Sequence, residues 1–268
     1  MTASLRTLQK NGFPGANSPL SCAQETRFDV RESRGARTCS DFSCTCATAI
    51  FCSPQNRVDS MNWAARSLAT SRGDTSASVA HWPGPLWSDD FLAEVGRSVA
   101  AYHRAVSDFV PNEVAHWQYR PRDLRPGEII CHHNFAPYNA VFKGDRLVGM
   151  IDWDSAGSGS VQEEIAFLAW QWVPLGPPDL KAKVRCDPRI DEVARLRLLL
   201  DSYGYEHRAG LIDAVVERAE ISRSGIEEYA AAGDPAFIAL RDEGHPRDIE
   251  RIIRYLEEAG RNLQAAIE

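Results

Sequence analysis

The chain has 268 residues, 44% hydrophobic and 25% charged, a globular composition with room for one large or two modest domains. Its net charge of −7 resides in residues 187–268, which leaves no basic face for nucleic acid and no polybasic segment for an anionic membrane. The start lacks an apolar signal segment and the longest apolar-leaning run, "CTCATAIFC", is too short to cross a bilayer, so a cytoplasmic protein with reduced thiols is expected.

Residues 1–60 are rich in Ser, Thr, Cys and Arg and show no sustained period of 2 or 3.6, so they are expected to be disordered or a non-native leader. Five of the seven cysteines fall there, but without paired C-x2-C units, which is weak support for zinc. Residues 61–86 read as a transitional linker. Order is expected from residue 87 to the C-terminus.

In "WSDDFLAEVGRSVAAYHRAVSDFV", Ser88 suits an N-cap and Asp89 and Asp90 suit the positive end of the helix dipole. Phe91, Leu92, Val95, Val99, Tyr102, Val106 and Phe109 recur at helical spacing and define one apolar face, expected to pack on the later hairpin and on the helix "EEIAFLAWQW". "GEIIC" is then a short strand, and "NAVFKGDRLVGMID" a hairpin turning at Gly144-Asp145. Gly157 and Gly159 read as a flexible link. "EEIAFLAWQW" is an apolar helix ended by Pro174. Further helices follow, one ending at Gly204, one from about Leu211 to Ala232, and a last one beginning near Pro246. The acidic C-terminal part would suit a cationic small molecule, although a solvated helical surface is the plainer reading.

Between the strand and the hairpin lies "CHHNFAPYN", and "IDWD" follows, its first Asp thirteen residues after Asn139. Taken singly, these residues have ordinary readings: Asp152 and Asp154 as hairpin-end carboxylates, Asn139 as a turn residue, His132 as a satisfied core histidine, and His133 as a polar loop residue. Taken together, the motifs and the hairpin between them resemble the C-terminal lobe of the aminoglycoside phosphotransferase family, similar in fold to choline and protein kinases. Its pattern is H-x-D-x-x-x-x-N, a hairpin, then I-D-[FW]-[DE].

The resemblance runs from about Gly84 to the C-terminus. It implies an α+β, mainly helical, protein-kinase-like lobe with a catalytic-loop hairpin, and Glu164 where an Asp is usual. It also implies ATP and Mg2+ as cofactors and a small-molecule hydroxyl as acceptor. Mg2+ would be held by Asn139 and Asp152, oxygen donors as that ion requires. His132 would structure the loop. Asn134 takes the position of the catalytic Asp, and an amide cannot accept the acceptor's proton. The chain has four lysines (Lys10, Lys143, Lys181 and Lys183), none between positions 11 and 142, where the family's N-terminal lobe supplies one for ATP. The N-terminal lobe is therefore expected to be degenerate or missing. Three functions stay open: ATP-dependent phosphoryl transfer, non-catalytic binding or scaffolding, and a decayed remnant of a kinase.

Overall fold

The computed structural model describes residues 74–75, 84–109, 117, 124–144 and 146–268. The expectations for residues 1–60, for most of 61–86, and for an N-terminal lobe lie outside them. Among the described residues the architecture is α+β and mainly helical, with two small antiparallel sheets.

Ser88 caps α1 (Asp89–Val106), its side chain accepting from the Phe91 N–H at 3.2 Å. The strand β2 (Ile129–Cys131) follows, then the hairpin β3 (Ala140–Lys143) and β4 (Arg146–Met150), which turns through Gly144 as its sequence demands. A two-residue strand, β1 (Asp74–Thr75), pairs with β3, Asp74 opposite Phe142 and Thr75 opposite Val141.

The stretch read as a flexible link is instead a strand. Residues Gly157–Gly159 form β5, antiparallel to β2, with Ile129 opposite Gly159 and Cys131 opposite Gly157. All three of its residues are buried. Glycine is a poor strand former, but β5 lies where a side chain would collide with its neighbours. A Cβ on Gly159 would stand 2.6 Å from a ring carbon of His133. Close approach, not freedom, is what Gly159 provides.

Helix α2 (Val161–Trp172) starts at a capping box, in which Ser160 Oγ accepts from Glu163 N–H and the Glu163 carboxylate accepts from Ser160 N–H. Then come α3 (Pro178–Lys183), α4 (Glu192–Tyr203), α5 (Leu211–Ala231), α6 (Pro235–Asp242) and α7 (His245–Ile267). Gly204 closes α4 at φ 79°, a left-handed C-cap that most residues resist. Pro246 sits in the first turn of α7, where its missing N–H costs no helical bond.

The apolar face of α1 is buried as its period implies, except that Phe109 is half-buried. Its packing partner differs from expectation. The main neighbour is α4, with β2 and β4 beside it, while α2 meets α1 chiefly where Phe91 stacks on Trp172 at 5.9 Å between centroids. Gly96 explains the preference: a Cβ there would meet the α4 backbone at Leu199 at 2.9 Å, so the two helices are in near-backbone contact. Buried Arg195 of α4 tightens the join. It donates to the carbonyls of Trp87 at 2.9 Å and Trp172 at 3.0 Å, and to the Asp89 carboxylate at 3.2 Å. Elsewhere α5 lies between α2 and α7. Among the described residues no helix is long and apolar enough to cross a membrane.

Leu92 is 0% exposed in this core. Leu92→Ala should therefore lower the unfolding free energy by about 2–5 kcal/mol, read from urea denaturation midpoints. A loss below about 0.5 kcal/mol would place the α1 face at the surface.

Candidate active site

The sequence "CHHNFAPYN" forms the connection between β2 and the hairpin, and nearly every polar group in it is held from outside. The His132 ring lies against Trp153 at 4.3 Å and Phe135 at 5.8 Å. Its Nε2–H donates to the Ile151 carbonyl at 3.0 Å, and its Nδ1 accepts the Asn134 N–H at 3.3 Å. A carbonyl can only accept, so the ring is neutral and has a fixed tautomer. Burial pushes its pKa down to about 4, consistent with that assignment. These contacts tie the loop to the segment after β4.

His133, read from sequence as a polar loop residue, is 2% exposed, so that reading is corrected. Its N–H donates to Glu164 Oε2 at 3.1 Å and its carbonyl accepts from Arg218 Nη2 at 2.6 Å. Its φ of 59° is left-handed, unusual for a residue with a Cβ. The turn that aims both backbone groups inward is what makes this residue buried rather than solvated. Glu164 is itself buried. Burial raises its pKa, opposed by the N–H of His133 and by the charge of Arg218. Trp172 Nε1–H donates to the Phe135 carbonyl at 2.9 Å and completes the cage.

Asn134 is 2% exposed. Its carbonyl accepts from Asn139 Nδ2 at 2.8 Å, and its Oδ1 accepts from the Tyr138 hydroxyl at 3.0 Å. Its Nδ2 is buried with no hydrogen-bond partner. Burial, then the nearby charge of Asp152, hold the Tyr138 phenol well above its ordinary range.

Asn139 ends a short 3-10 turn, Pro137–Asn139, and its side chain hydrogen-bonds the Asp152 carboxylate. The two residues face one another across the hairpin, joined also by the backbone bond from Ile151 N–H to Asn139 O at 2.9 Å. Asp152 has φ 66°, a conformation that Asp tolerates better than most residues and that turns its side chain toward Asn139. Its Oδ2 is buried and has no hydrogen-bond partner. Burial first, then Asp154, raise its pKa to about 7, against the Asn139 hydrogen bond. Burial also raises Asp154. An unpartnered, desolvated carboxylate oxygen next to a second carboxylate and an amide is a donor set that fits a hard divalent cation.

Four of the residues that shape this site were not singled out by the sequence: Tyr138, Trp172, Arg218 and Cys131. Arg218 was findable. Leu211, Val215, Arg218, Ser222 and Ile226 share one buried stripe of α5, so an Arg falls on an apolar face. A charge there is a signal of a buried acceptor. Arg218 also lies over the Phe167 ring at 4.7 Å.

A helical lobe whose buried loop, hairpin and acidic turn are arranged in this way defines the class of protein. The chain belongs to the phosphotransferase enzyme family, whose model matches residues 63–198, half of the chain. The match begins before Gly84, where the motifs alone placed it, and stops within α4. A curated relative, the trifolitoxin immunity protein of Rhizobium leguminosarum bv. trifolii, is 31% identical over 138 residues, which cover 50% of this chain and 52% of that protein. The chain thus spans about half the length of the curated relative it matches.

The state of Asp152 has a measurable consequence. Its folded pKa of about 7 lies above the ordinary 3.8. Below pH 4 both states carry the proton. Between about pH 4 and 7 the native state keeps a proton that the unfolded chain gives up, so stability falls as pH rises through that window. Asp152→Asn should remove this slope and leave the variant more stable than the parent at pH 8 by on the order of 2 kcal/mol, but not at pH 4. Urea unfolding of both proteins at the two pH values checks it. Equal pH profiles would mean that the carboxylate is solvated.

Proposed function

We propose that this protein is a phosphotransferase-family protein that binds Mg2+ and ATP and whose transfer of the γ-phosphoryl group to a small-molecule hydroxyl is severely slowed or lost. The observation that supports the reading is the hydrogen bond that Asn139 donates to Asp152, beside a buried Asp152 oxygen that has no partner. Asn139 and Asp152 would hold Mg2+ there, and the ion would supply charge neutralisation for phosphoryl transfer. Asp152 would supply a carboxylate oxygen and Asn139 an amide oxygen. His132 would hold the loop, acting through its neutral ring rather than as a base.

Asn134 would face the acceptor hydroxyl with an amide. It can orient that hydroxyl by a hydrogen bond but cannot take its proton. A missing general base costs typically ~10²–10⁴-fold, or about 3–5 kcal/mol of barrier. The phosphate clamp is the second deficit, because no lysine precedes Lys143 after Lys10. Binding should therefore outlast turnover. The acceptor is a small molecule; the acidic pair Asp152 and Asp154 and the acidic C-terminal part would suit a cationic one.

A second reading, binding without catalysis, is favoured by Asn134 itself and is compatible with a relative named for immunity to a toxin. Sequestration of a small molecule needs no base. The two readings separate on turnover, and both separate from a decayed remnant on ligand binding.

Mg2+ and ATP together should raise the melting temperature, and the gain should vanish in Asp152→Asn. At a free ligand concentration one hundred times Kd the native state gains about 2.7 kcal/mol. No shift at millimolar Mg2+ and ATP would overturn the nucleotide-binding reading and leave sequestration of another small molecule or a remnant. The gain from Mg2+ should also be larger at pH 8 than at pH 5, since the metal competes with the proton on Asp152.

Asn134→Asp should fold, because the shapes match and Tyr138 can donate to the new carboxylate as it does to the amide. Single-turnover transfer from labelled ATP to a panel of amino-sugar and simple alcohol acceptors should nonetheless stay within about tenfold of the parent. Alignment is the larger share of this catalysis, and a base helps only a nucleotide already clamped. A gain of a hundred-fold or more would show that the missing base is the sole defect.

A further inference from the structure

Cys131, His133 and Glu164 bring a thiol, an imidazole and a carboxylate together, all buried, with their ligand atoms within 4.8 Å of one another. They come from three elements: the end of β2, the left-handed residue after it, and the first turn of α2. The geometry points to a structural site for a borderline divalent metal, zinc being the best match, that locks the Asn134 loop to α2.

The donor set is the first reason. Thiolate, imidazole and carboxylate are the zinc ligands, and a site of three protein donors can be completed by a nearby carbonyl or a water. Tetrahedral ligands at zinc's bond lengths lie roughly 3.3–3.7 Å apart, so atoms already within 4.8 Å need only small side-chain rotations to close on an ion. Mg2+ would not choose this site, because it prefers six oxygens.

The tautomer of His133 is the second reason. Its Nε2 contacts the Ser158 carbonyl at 3.3 Å. A carbonyl accepts only, so in the neutral ring Nε2 carries the hydrogen and Nδ1 the lone pair. With Nδ1 as the ligand atom, the Ser158 carbonyl on Nε2 would be the support that metal-bound histidines generally have.

Backbone and space give the third. A glycine would take φ 59° at residue 133 without steric conflict, so the strained imidazole is the distinctive feature of the position. Gly159 makes room for it: a Cβ there would stand 2.6 Å from the His133 ring and 3.0 Å from Cys131 Sγ. Binding expels the Cys131 thiol proton, and the thiolate and the Glu164 carboxylate then face both the dication and the charge of Arg218.

The test uses the full chain, stripped with a chelator and titrated with Zn2+ and with Co2+ as a spectroscopic probe. One tight equivalent should bind, and Co2+ should give near-ultraviolet thiolate charge transfer, which the oxygen donors Asn139 and Asp152 cannot produce. His133→Gly relieves the strained backbone and should fold, yet weaken binding by at least about a hundred-fold, the upper range for losing even an outer partner of a metal ligand. Cys131→Ala should abolish the charge-transfer band while the protein still unfolds cooperatively. The competing thiols are Cys22, Cys39, Cys44, Cys46, Cys52 and Cys186. Absence of a tight equivalent overturns the site, and so does a tight equivalent that both variants retain.

Discussion

The anchoring of one short loop by two buried charges is what the rest of the site depends on. Glu164 accepts the N–H of His133 and Arg218 donates to its carbonyl, so a single peptide turn is clamped from α2 and α5 at once. Buried charges are costly unless hydrogen-bonded, and here each satisfies a backbone group that would otherwise be orphaned in the core. Such an arrangement contributes little net stability over a well-packed apolar alternative. Its effect is positional: it fixes where Asn134 and Asn139 emerge. The helices serve this arrangement. The capping box at Ser160 sets the start of α2 at Val161, three residues before Glu164, and the packing of α2 on α5 brings Arg218 within reach.

On top of that frame lies a polar layer that is satisfied on one side and not on the other. The peptide groups facing α2 and α5 are partnered, as the cost of burying them requires. The side chains facing the acidic turn leave Asn134 Nδ2 and Asp152 Oδ2 without partners. Unsatisfied buried groups at one place in an otherwise well-bonded loop are where a ligand is expected to complete the structure. The left-handed backbone at Asp152 belongs to the same picture: strain is placed where a side chain must be aimed.

The substitution of an amide for a carboxylate at residue 134 changes charge without changing shape. Tyr138 would donate to either group, and the backbone bonds of residue 134 are indifferent to which is present. Such an exchange would preserve the fold and remove a proton acceptor, so family membership and catalytic competence are physically separable properties. The half-length match to the trifolitoxin immunity protein does not decide between them.

Much of the fold was legible in the sequence because it rests on local signals. The α1 period, the Ser88 cap, the Gly144 turn and the Gly204 cap are each set by interactions within a few residues, and the motif spacing marked His132, Asn134, Asn139 and Asp152 as one constellation. Contacts between distant elements were not legible. Gly157 and Gly159 read as a link because glycine ordinarily disfavours strands, and only the close approach of His133 and Cys131 makes the lack of a side chain at Gly159 a requirement. His133 read as solvated because polarity is a local property and burial is not. Trp172 and Arg218 reach the loop from 37 and 85 positions away, separations at which no spacing rule operates. The sequence by itself determined the elements and the constellation, through propensity, capping and period. The tertiary structure alone decided which polar groups were satisfied and which were left without a partner, because satisfaction depends on what three-dimensional packing brings within hydrogen-bond distance.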